Sequence, residues 1–159
     1  MTVAVTIRNG GHLDVPFIRS MLTHAYNWHV SKLETDIPLS RYVDGWGRPG
    51  DTALIAIEEG HRLGAAWYRL FRASAPGFGF VDEATPELTV AVVPGRRREG
   101  IGQALLAGLI ERARLDGYPA LSASVQKDHP EVGIFEDSGF EQVGESEHTV
   151  TLRRPLVRP

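Results

Sequence analysis

The chain of 159 residues has the length of one domain, so we predict a single domain over residues 1–159. Its content of 42% hydrophobic and 23% charged residues is usual for a globular protein. Its 17 Lys and Arg against 20 Asp and Glu give a net charge of −3, which argues against a nucleic-acid binder. The absence of cysteine excludes disulfides, a thiolate nucleophile and cysteine metal ligands, and it favours the cytoplasm.

The first half of the chain predicts a strand, a helix and a β-hairpin. Alternating apolar residues near the N-terminus indicate the strand. Apolar residues three or four apart then indicate an amphipathic helix, with Leu13, Phe17, Met21 and Leu22 on its buried side. Prolines and glycines between residues 27 and 50 predict a short helix and a loop. The elements are a strand over Val3–Arg8, a helix over Leu13–Tyr26, and strands over Thr52–Ile57 and Leu63–Phe71, which a polar Glu59-Gly60 turn joins.

The second half alternates strand and helix signals, which is typical of an α/β or α+β domain. A Gly/Pro-rich loop over Ala73–Pro86 comes first. The almost continuous apolar run that follows predicts a central strand covered on both faces. The elements are a strand over Leu88–Val93, a helix that ends near Asp116, a strand over Ala120–Val125, a short helix over Glu131–Ser138, and weak strands over Glu141–Val143 and Thr149–Leu152.

Several classes of partner are not expected. The N-terminus lacks a basic start followed by a long apolar run, so no signal peptide is predicted. The apolar stretch from Gly100 to Ile110 is too short to span a bilayer, so no membrane partner is expected. His24 and His29 are five residues apart, a poor match to a metal-binding pair on one helical face, so no metal is predicted.

The segment LTVAVVPGRRREGIGQALL, from Leu88 to Leu106, carries the clearest chemical signal. A buried strand leads into a basic, glycine-bearing turn and then a helix start. Backbone N–H groups in such a turn and the positive end of the helix dipole form an anion site, and a phosphate or pyrophosphate fits it. A P-loop is excluded because Ile101-Gly102 stands where Lys-Ser/Thr is required. A dinucleotide fingerprint is disfavoured because Leu105 replaces its third glycine.

The remaining pattern, Arg-x-x-Gly-x-Gly from Arg97 to Gly102, resembles the acetyl-CoA motif of the GNAT superfamily of N-acetyltransferases. A second region, SVQKDHPEVGIFEDSGFEQVG from Ser124 to Gly144, is similar to the C-terminal motif of that superfamily. In that motif a Ser-Val strand end is followed by Asn-Pro, a Tyr and Gly-Phe. Here His129 stands in the Asn position and Phe135 in the Tyr position.

The resemblance implies an α/β (α+β) fold, with a mixed, mostly antiparallel sheet of six or seven strands, helices on both faces and a splayed central strand pair. It also implies acetyl-CoA as the cofactor, with its pantetheine arm in the gap between the splayed strands. The residues implied for the cofactor are Ala91, Val92 and Val93 along the pantetheine, Arg97, Arg98, Glu99, Gly100, Ile101, Gly102 and Gln103 around the pyrophosphate, and His129 and Phe135 beside the pantetheine.

The implied reaction is direct attack of a neutral primary amine, on a small molecule or a peptide, on the thioester. Glu87 is the candidate base, since some members of the superfamily place a glutamate ten residues before the position of Arg97. The backbone N–H near Val92 is the candidate oxyanion donor. Phe135 stands at the usual acid position but cannot donate a proton. Water or a histidine can substitute, or the domain is instead a non-catalytic acyl-CoA-binding or sensor domain.

Aromatic residues concentrate in the half of the chain that the resemblance assigns to the acceptor. An aromatic-walled pocket can hold an amine by packing and cation–π contact, although most such residues belong to a core. The residues predicted to bind the acceptor are Trp28, His29, Trp67 and Tyr68. A homodimer is a further expectation, because many members of the superfamily form one. A purely structural interaction module has little support, since it would make the glycine-arginine turn accidental.

Overall fold

The chain folds around one seven-stranded sheet. The structure is a computed structural model, and it describes residues 5–25, 38–96, 99–127 and 132–156. The strand order of the sheet is β1-β2-β3-β4-β5-β7-β6, and every neighbouring pair is antiparallel except β4–β5. This confirms the mixed, mostly antiparallel sheet. The strands are β1 Thr6–Asn9, β2 Thr52–Glu58, β3 His61–Arg69, β4 Glu87–Val92, β5 Ala120–Gln126, β6 Glu141–Glu145 and β7 Thr149–Pro155.

Helices cover both faces of the sheet, as the resemblance implies. They are α1 Val15–Ala25, α2 Ile101–Leu115 and α3 Val132–Asp137, with short 3-10 helices over His12–Asp14, Leu39–Tyr42 and Pro94–Arg96. We call the two sides of the sheet the α1 face and the α2 face. Side chains of β4 alternate between them: Ala91 packs in the cluster around α1, and Leu88 and Val92 pack in the cluster around α2 and α3. None of the described helices is long and apolar enough to cross a membrane.

The buried stripe of α1 differs from the prediction at one position. Leu13 is 88% exposed, whereas Ile18, Met21 and Leu22 are buried and the partly buried Phe17 packs against the same cluster. Leu13 lies in the 3-10 turn before the helix, where Asp14 turns inward to the guanidinium groups of Arg8 and Arg62. The ion pairs of Asp14 set the direction of this turn, so the hydrophobic side chain before it faces solvent.

The β2–β3 hairpin brings the long strand β3 beside β4. Its predicted two-residue turn is confirmed: Glu59 and Gly60 have φ values of 50° and 79°, the left-handed geometry that suits a tight hairpin turn. On β3, Trp67 is paired in register with Thr89, and Arg69 with Glu87. The hairpin therefore places the side chains of Trp67 and Arg69 on the α1 face, next to the first half of β4.

The parallel strands β4 and β5 are splayed. They are paired at one position, Glu87 with Ser122, where the N–H of Ser122 donates to the Pro86 carbonyl at 2.9 Å. Beyond this point the two strands separate, which confirms the splayed central pair. The sheet thus contains a gap that is closed at the start of β4 and open toward its end.

Candidate functional site

Peptide groups of β4 line one side of the gap. Val93 donates its N–H to the Leu63 carbonyl at 2.8 Å, and its own carbonyl accepts the Arg96 N–H at 3.0 Å. Since peptide groups alternate along an antiparallel strand, those of Ala91 also point toward β3, and those of Leu88, Val90 and Val92 point toward β5. Those of Val90 and Val92 lie beyond the paired position and face the gap. Of the three residues predicted along the pantetheine, the structure therefore directs only the backbone groups of Val92 into the gap.

The N-terminus of α2 has the geometry of an anion site. Gly100 precedes the helix with φ of 85°, a left-handed conformation that favours glycine. The first helical hydrogen bond runs from Ala104 N–H to the Gly100 carbonyl, at 3.0 Å. The N–H groups of Ile101, Gly102 and Gln103 precede it and have no acceptor within the helix. These residues and the gap fit the pyrophosphate and pantetheine of acetyl-CoA.

Arg96 stabilises the turn before this helix and is already paired. It donates to Glu58 at 2.9 and 3.0 Å and to Glu99 at 3.0 and 2.9 Å. The side chain of Glu99 therefore faces Arg96, which leaves its backbone as the predicted cofactor contact. Arg97, Arg98 and His129 lie outside the described residues.

Glu87, the candidate base, is buried on the α1 face with 1% of its surface exposed. The Tyr42 hydroxyl donates to Oε2 of Glu87, and the Gly79 N–H donates to Oε1 at 3.1 Å. No cation pairs with this carboxylate in the part of the chain that the structure describes. Burial raises the pKa of Glu87 to about 7, and the two hydrogen bonds oppose this shift only in part.

Glycines bring the β3–β4 loop against both strands at the closed end of the gap. A Cβ atom at Gly77 would lie 2.3 Å from Oε1 of Glu87, and one at Gly79 would lie 2.8 Å from the backbone carbon of Ala123 on β5. Only glycine allows these approaches. On the α1 face of β5, the buried hydroxyls of Ser122 and Ser124 have no hydrogen-bond partner among the described residues. The loop thus encloses a small polar region around Glu87.

The two predicted acceptor residues that the structure describes, Trp67 and Tyr68, do not come together. Trp67 is 1% exposed on the α1 face, and its Nε1 donates to the Tyr42 carbonyl at 3.1 Å. Tyr68 is buried on the α2 face, where its hydroxyl donates to Asp116 Oδ2 at 2.9 Å. This corrects the prediction for Tyr68, because neighbouring residues of one strand point to opposite faces. Trp28 and His29 lie outside the described residues.

Phe135, at the position where the superfamily has an acid, is a core residue. It is 7% exposed in α3, on the α2 face, and its ring lies edge-on to Phe140 with 5.4 Å between centroids. The side chain has no hydrogen-bonding group. It contributes packing and no proton.

A basic cavity of about 580 Å³ lies beyond Tyr42, at the end of β3. Phe71 lines the cavity and also packs edge-on against Tyr42, with 5.1 Å between ring centroids. The cavity contains the side chains of Arg41, Arg48 and Arg72, and Glu83 is its acidic residue. Three guanidinium groups beside one carboxylate give this cavity a positive character, which suits an anionic group.

Sequence reasoning missed Tyr42 and Gly79 as partners of Glu87. Tyr42 is 45 residues from Glu87 in sequence, and no local pattern links the two positions. Gly79 had a signal, because the alternating glycines of Pro76-Gly77-Phe78-Gly79-Phe80 are typical of a segment that passes close to another backbone.

Comparison with known proteins identifies relatives along most of the chain. A family model described as "Acetyltransferase (GNAT) family" matches residues 16–140. An L-methionine sulfoximine/L-methionine sulfone acetyltransferase of Pseudomonas paraeruginosa is 32% identical, over 90% of this chain and 84% of that protein. The crystal structure of a ribosomal-protein-alanine N-acetyltransferase from Brucella melitensis is 28% identical, with a TM-score of 0.68, and covers 94% of this chain and 99% of that one.

A fourth comparison concerns the cofactor. The structure of yncA, a putative acetyltransferase from Salmonella typhimurium, was solved with acetyl-CoA. It superimposes on this chain with a TM-score of 0.71 at 22% identity, and covers 98% of this chain and 96% of that one. The similarity in fold therefore extends over almost the whole chain.

Proposed function

Because the chain belongs to the GNAT acetyltransferase family and is an acetyl-CoA-dependent N-acetyltransferase, we propose that Glu87 is its general base and that its acceptor is a small amine with an anionic group. The observation that carries the base assignment is the burial of the Glu87 carboxylate at the closed end of the gap, where no cation of the described residues pairs with it. The non-catalytic alternative is not favoured, since the relatives are acetyltransferases.

Glu87 has the properties that the reaction requires of a base. An alkylammonium group has a pKa of about 10 and must lose a proton before its nitrogen can attack. A base works best when its pKa lies near the pH of the reaction, and the pKa of Glu87 is about 7. Two hydrogen bonds occupy two of the roughly four acceptor positions of a carboxylate, so Glu87 can still accept a proton, directly or through water.

The backbone supplies the remaining contacts. When bound, acetyl-CoA provides the acetyl group as a reactive thioester. We assign the pyrophosphate to the first-turn N–H groups of α2, and the pantetheine and the developing oxyanion to the backbone groups of Val92. Since Phe135 has no proton to give, the CoA sulfur leaves as a thiolate. A thiol pKa of about 8.5 makes this thiolate stable enough to leave without an acid, and it equilibrates with solvent protons afterwards.

The positive cavity beyond Tyr42 supports an acceptor that carries a negative group. Arg41 donates to the Pro76 carbonyl and Arg48 to the Leu70 carbonyl, and Nε of Arg48 lies 3.9 Å from Oδ1 of Asp51. Each guanidinium group has five N–H donors, so both have further donors for a ligand. Relatives that are 32% identical to this chain acetylate L-methionine sulfoximine and L-methionine sulfone. An amino acid of this kind combines a primary amine with a carboxylate, and we propose this class of acceptor here.

Release of CoA from acetyl-CoA tests both parts of the proposal. With L-methionine sulfoximine as the acceptor, we expect activity, and we expect at least a tenfold lower kcat/KM for its methyl ester, which lacks the carboxylate charge. Glu87→Gln should reduce kcat/KM by about 10²- to 10⁴-fold, the usual range for loss of a general base. Activity of Glu87→Gln within tenfold of the parent protein would reject the base, and equal rates with the ester would reject the anionic acceptor.

Two coarser expectations accompany this function. A homodimer stays a prediction; β6, an exposed edge strand on which Val143 is 55% exposed, offers a surface for it. The molar mass by light scattering would test it. We also propose the cytoplasm as the compartment, because the chain has no cysteine and depends on acetyl-CoA, a metabolite of that compartment.

A further inference from the structure

Tyr42 is held in place more firmly than the irregular segment around it suggests. The tyrosine ends a 3-10 helix of four residues, Leu39–Tyr42, yet only 1% of its surface is exposed. Three side-chain hydrogen bonds from β3 fix the backbone around it. Trp67 donates to the Tyr42 carbonyl at 3.1 Å, and Arg69 donates to the carbonyls of Arg41 and Asp44 at 3.0 and 2.7 Å. The sheet itself therefore positions the Tyr42 hydroxyl against Glu87.

Arg69 is in turn fixed by Asp51. Its Nε donates to Oδ1 of Asp51 at 2.9 Å and its Nη2 donates to Oδ2 at 2.6 Å, and both side chains are 1% exposed. Asp51 also accepts the backbone N–H groups of Gly47 and Arg48, at 3.1 and 3.0 Å. Trp46 lies 5.4 Å from the guanidinium carbon of Arg69. Four of the five N–H groups of the guanidinium are thus engaged by the segment that carries Tyr42.

This arrangement matters because Arg69 and Glu87 are paired in register on adjacent strands, with both side chains on the α1 face. A buried arginine next to a buried carboxylate ordinarily forms an ion pair, and an ion pair would leave the carboxylate a poor base. Here Asp51 takes the guanidinium group, and Glu87 receives the neutral hydroxyl of Tyr42 instead. The structure thereby keeps a cation next to the base without pairing the two.

We propose that Tyr42, Arg69 and Asp51 form a positioning unit for the catalytic carboxylate, in which Tyr42 orients Glu87 and Asp51 withholds the charge of Arg69 from it. This inference rests on the proposed role of Glu87. The surrounding elements carry further ionisable groups. Arg41 donates to the Pro76 carbonyl, and Glu83 accepts the Ala73 N–H. On α1, Arg19 is paired with Asp44, and His24 lies in the last turn.

The two ends of the unit should move the titration of Glu87 in opposite directions. Tyr42→Phe removes a hydrogen bond that lowers the pKa of Glu87, so the pKa of Glu87 should rise by about one unit in this variant. Asp51→Asn removes the anionic partner of Arg69, so the positive charge of Arg69 should lower the pKa of Glu87 by a similar amount. Tyr68→Phe is the matched control, since it removes a buried tyrosine hydroxyl from a carboxylate, Asp116, on the other face of the sheet. It should leave Glu87 unchanged.

The titration is measured directly, by ¹³C NMR of protein labelled at glutamate side-chain carboxyls, with the Glu87 signal assigned by its loss in Glu87→Gln. The same variants give pH profiles of kcat/KM. A Glu87 titration in Tyr42→Phe that equals that of the parent protein would overturn the role of Tyr42. If the pKa of Glu87 does not fall in folded Asp51→Asn, the proposed role of Asp51 is overturned.

The direct titration also separates this inference from the proposed function. If Glu87→Gln keeps its activity, the base assignment fails, and the NMR shifts still decide whether the unit controls the carboxyl group. If Glu87→Gln is inactive and the shifts are absent, the base assignment stands and the positioning unit is rejected. Because Tyr42→Phe deletes one oxygen atom and leaves Arg69 and Asp51 intact, it keeps the test available even if Asp51→Asn does not fold.

Discussion

Asp14 and Glu87 are two carboxylates of nearly equal burial, 2% and 1% exposed, in opposite electrostatic surroundings. Asp14, at the corner before α1, accepts hydrogen bonds from Arg8 at 2.8 Å, from Arg62 at 2.8 Å and from the Gly11 N–H at 2.9 Å. Glu87, at the start of β4, receives one hydroxyl and one N–H. The Arg8 hydrogen bond holds the pKa of Asp14 well below its usual range, and burial raises that of Glu87 to about 7.

The difference shows how the chain separates structural from reactive acids. Two cations compensate the burial of Asp14, so its charge fixes the corner between β1 and α1 at every physiological pH. Within the described ranges no cation compensates Glu87 in this way, although Arg69 is its neighbour on β3. A carboxylate that is buried with neutral partners is unfavourable for folding and useful for proton transfer. Experiments on stability can test this contrast independently of activity.

The largest expected effect is on the pH dependence of stability. Since the pKa of folded Glu87 is raised from 4.5 to about 7, the folded state binds more protons than the unfolded state between these values. The contribution of Glu87 to the free energy of unfolding is therefore complete below pH 4.5 and is lost as the pH rises through 7. The loss is on the order of 3 kcal/mol. Urea unfolding at pH 5 and pH 8 measures it.

Glu87→Gln is the control for this measurement. The glutamine cannot titrate, so the stability of the variant should vary much less between pH 5 and pH 8 than that of the parent protein. Equal pH dependence in the two proteins would show that Glu87 does not carry the proton, and the contrast with Asp14 would collapse.

The next effect concerns Asp14 and has the opposite sign. Because its pKa is lowered, Asp14 contributes stability above its ordinary value of 3.8, and this contribution is lost as the pH falls below it. Asp14→Asn should lower the free energy of unfolding at pH 7 by about 2 kcal/mol, since it leaves two partly exposed arginines without their anion. Urea unfolding at pH 7 checks the value, and kcat of the folded variant should stay within twofold of the parent.

The smallest effect is expected on the other face of the sheet. Phe135→Tyr places a hydroxyl where many members of the superfamily have their acid, and it should change kcat by no more than about tenfold, because a thiolate leaves readily without an acid. Phe140→Tyr, which adds a hydroxyl to the adjacent ring, is the matched control. A hundredfold gain in kcat for Phe135→Tyr alone would mean that the missing acid on the α2 face limits the reaction, and not the base Glu87.

Much of the fold and part of the site were predictable from the sequence. Alternation and turn residues located the β2–β3 hairpin, and the glycine-arginine turn located the start of α2. The same alternation rule shows that Trp67 and Tyr68 cannot share one face, so their joint assignment to the acceptor was avoidable. The contact of Tyr42 with Glu87 was not predictable, since it depends on hydrogen bonds from β3 to a segment about 25 residues earlier, such as that from Arg69 to Asp44. Leu13 was mispredicted because ion pairs outweighed hydrophobic periodicity.

The single paired position between β4 and β5 has a consequence for the lifetime of the protein in a cell. Folding leaves the peptide groups of Val90 and Val92, beyond the paired position, facing the gap without a partner strand. A ligand that binds there stabilises the folded state by mass action, by about 2.7 kcal/mol at a hundredfold excess over its Kd. The fraction of molecules open to proteases should therefore fall as acetyl-CoA rises, so the abundance of the enzyme would follow the supply of its own cosubstrate.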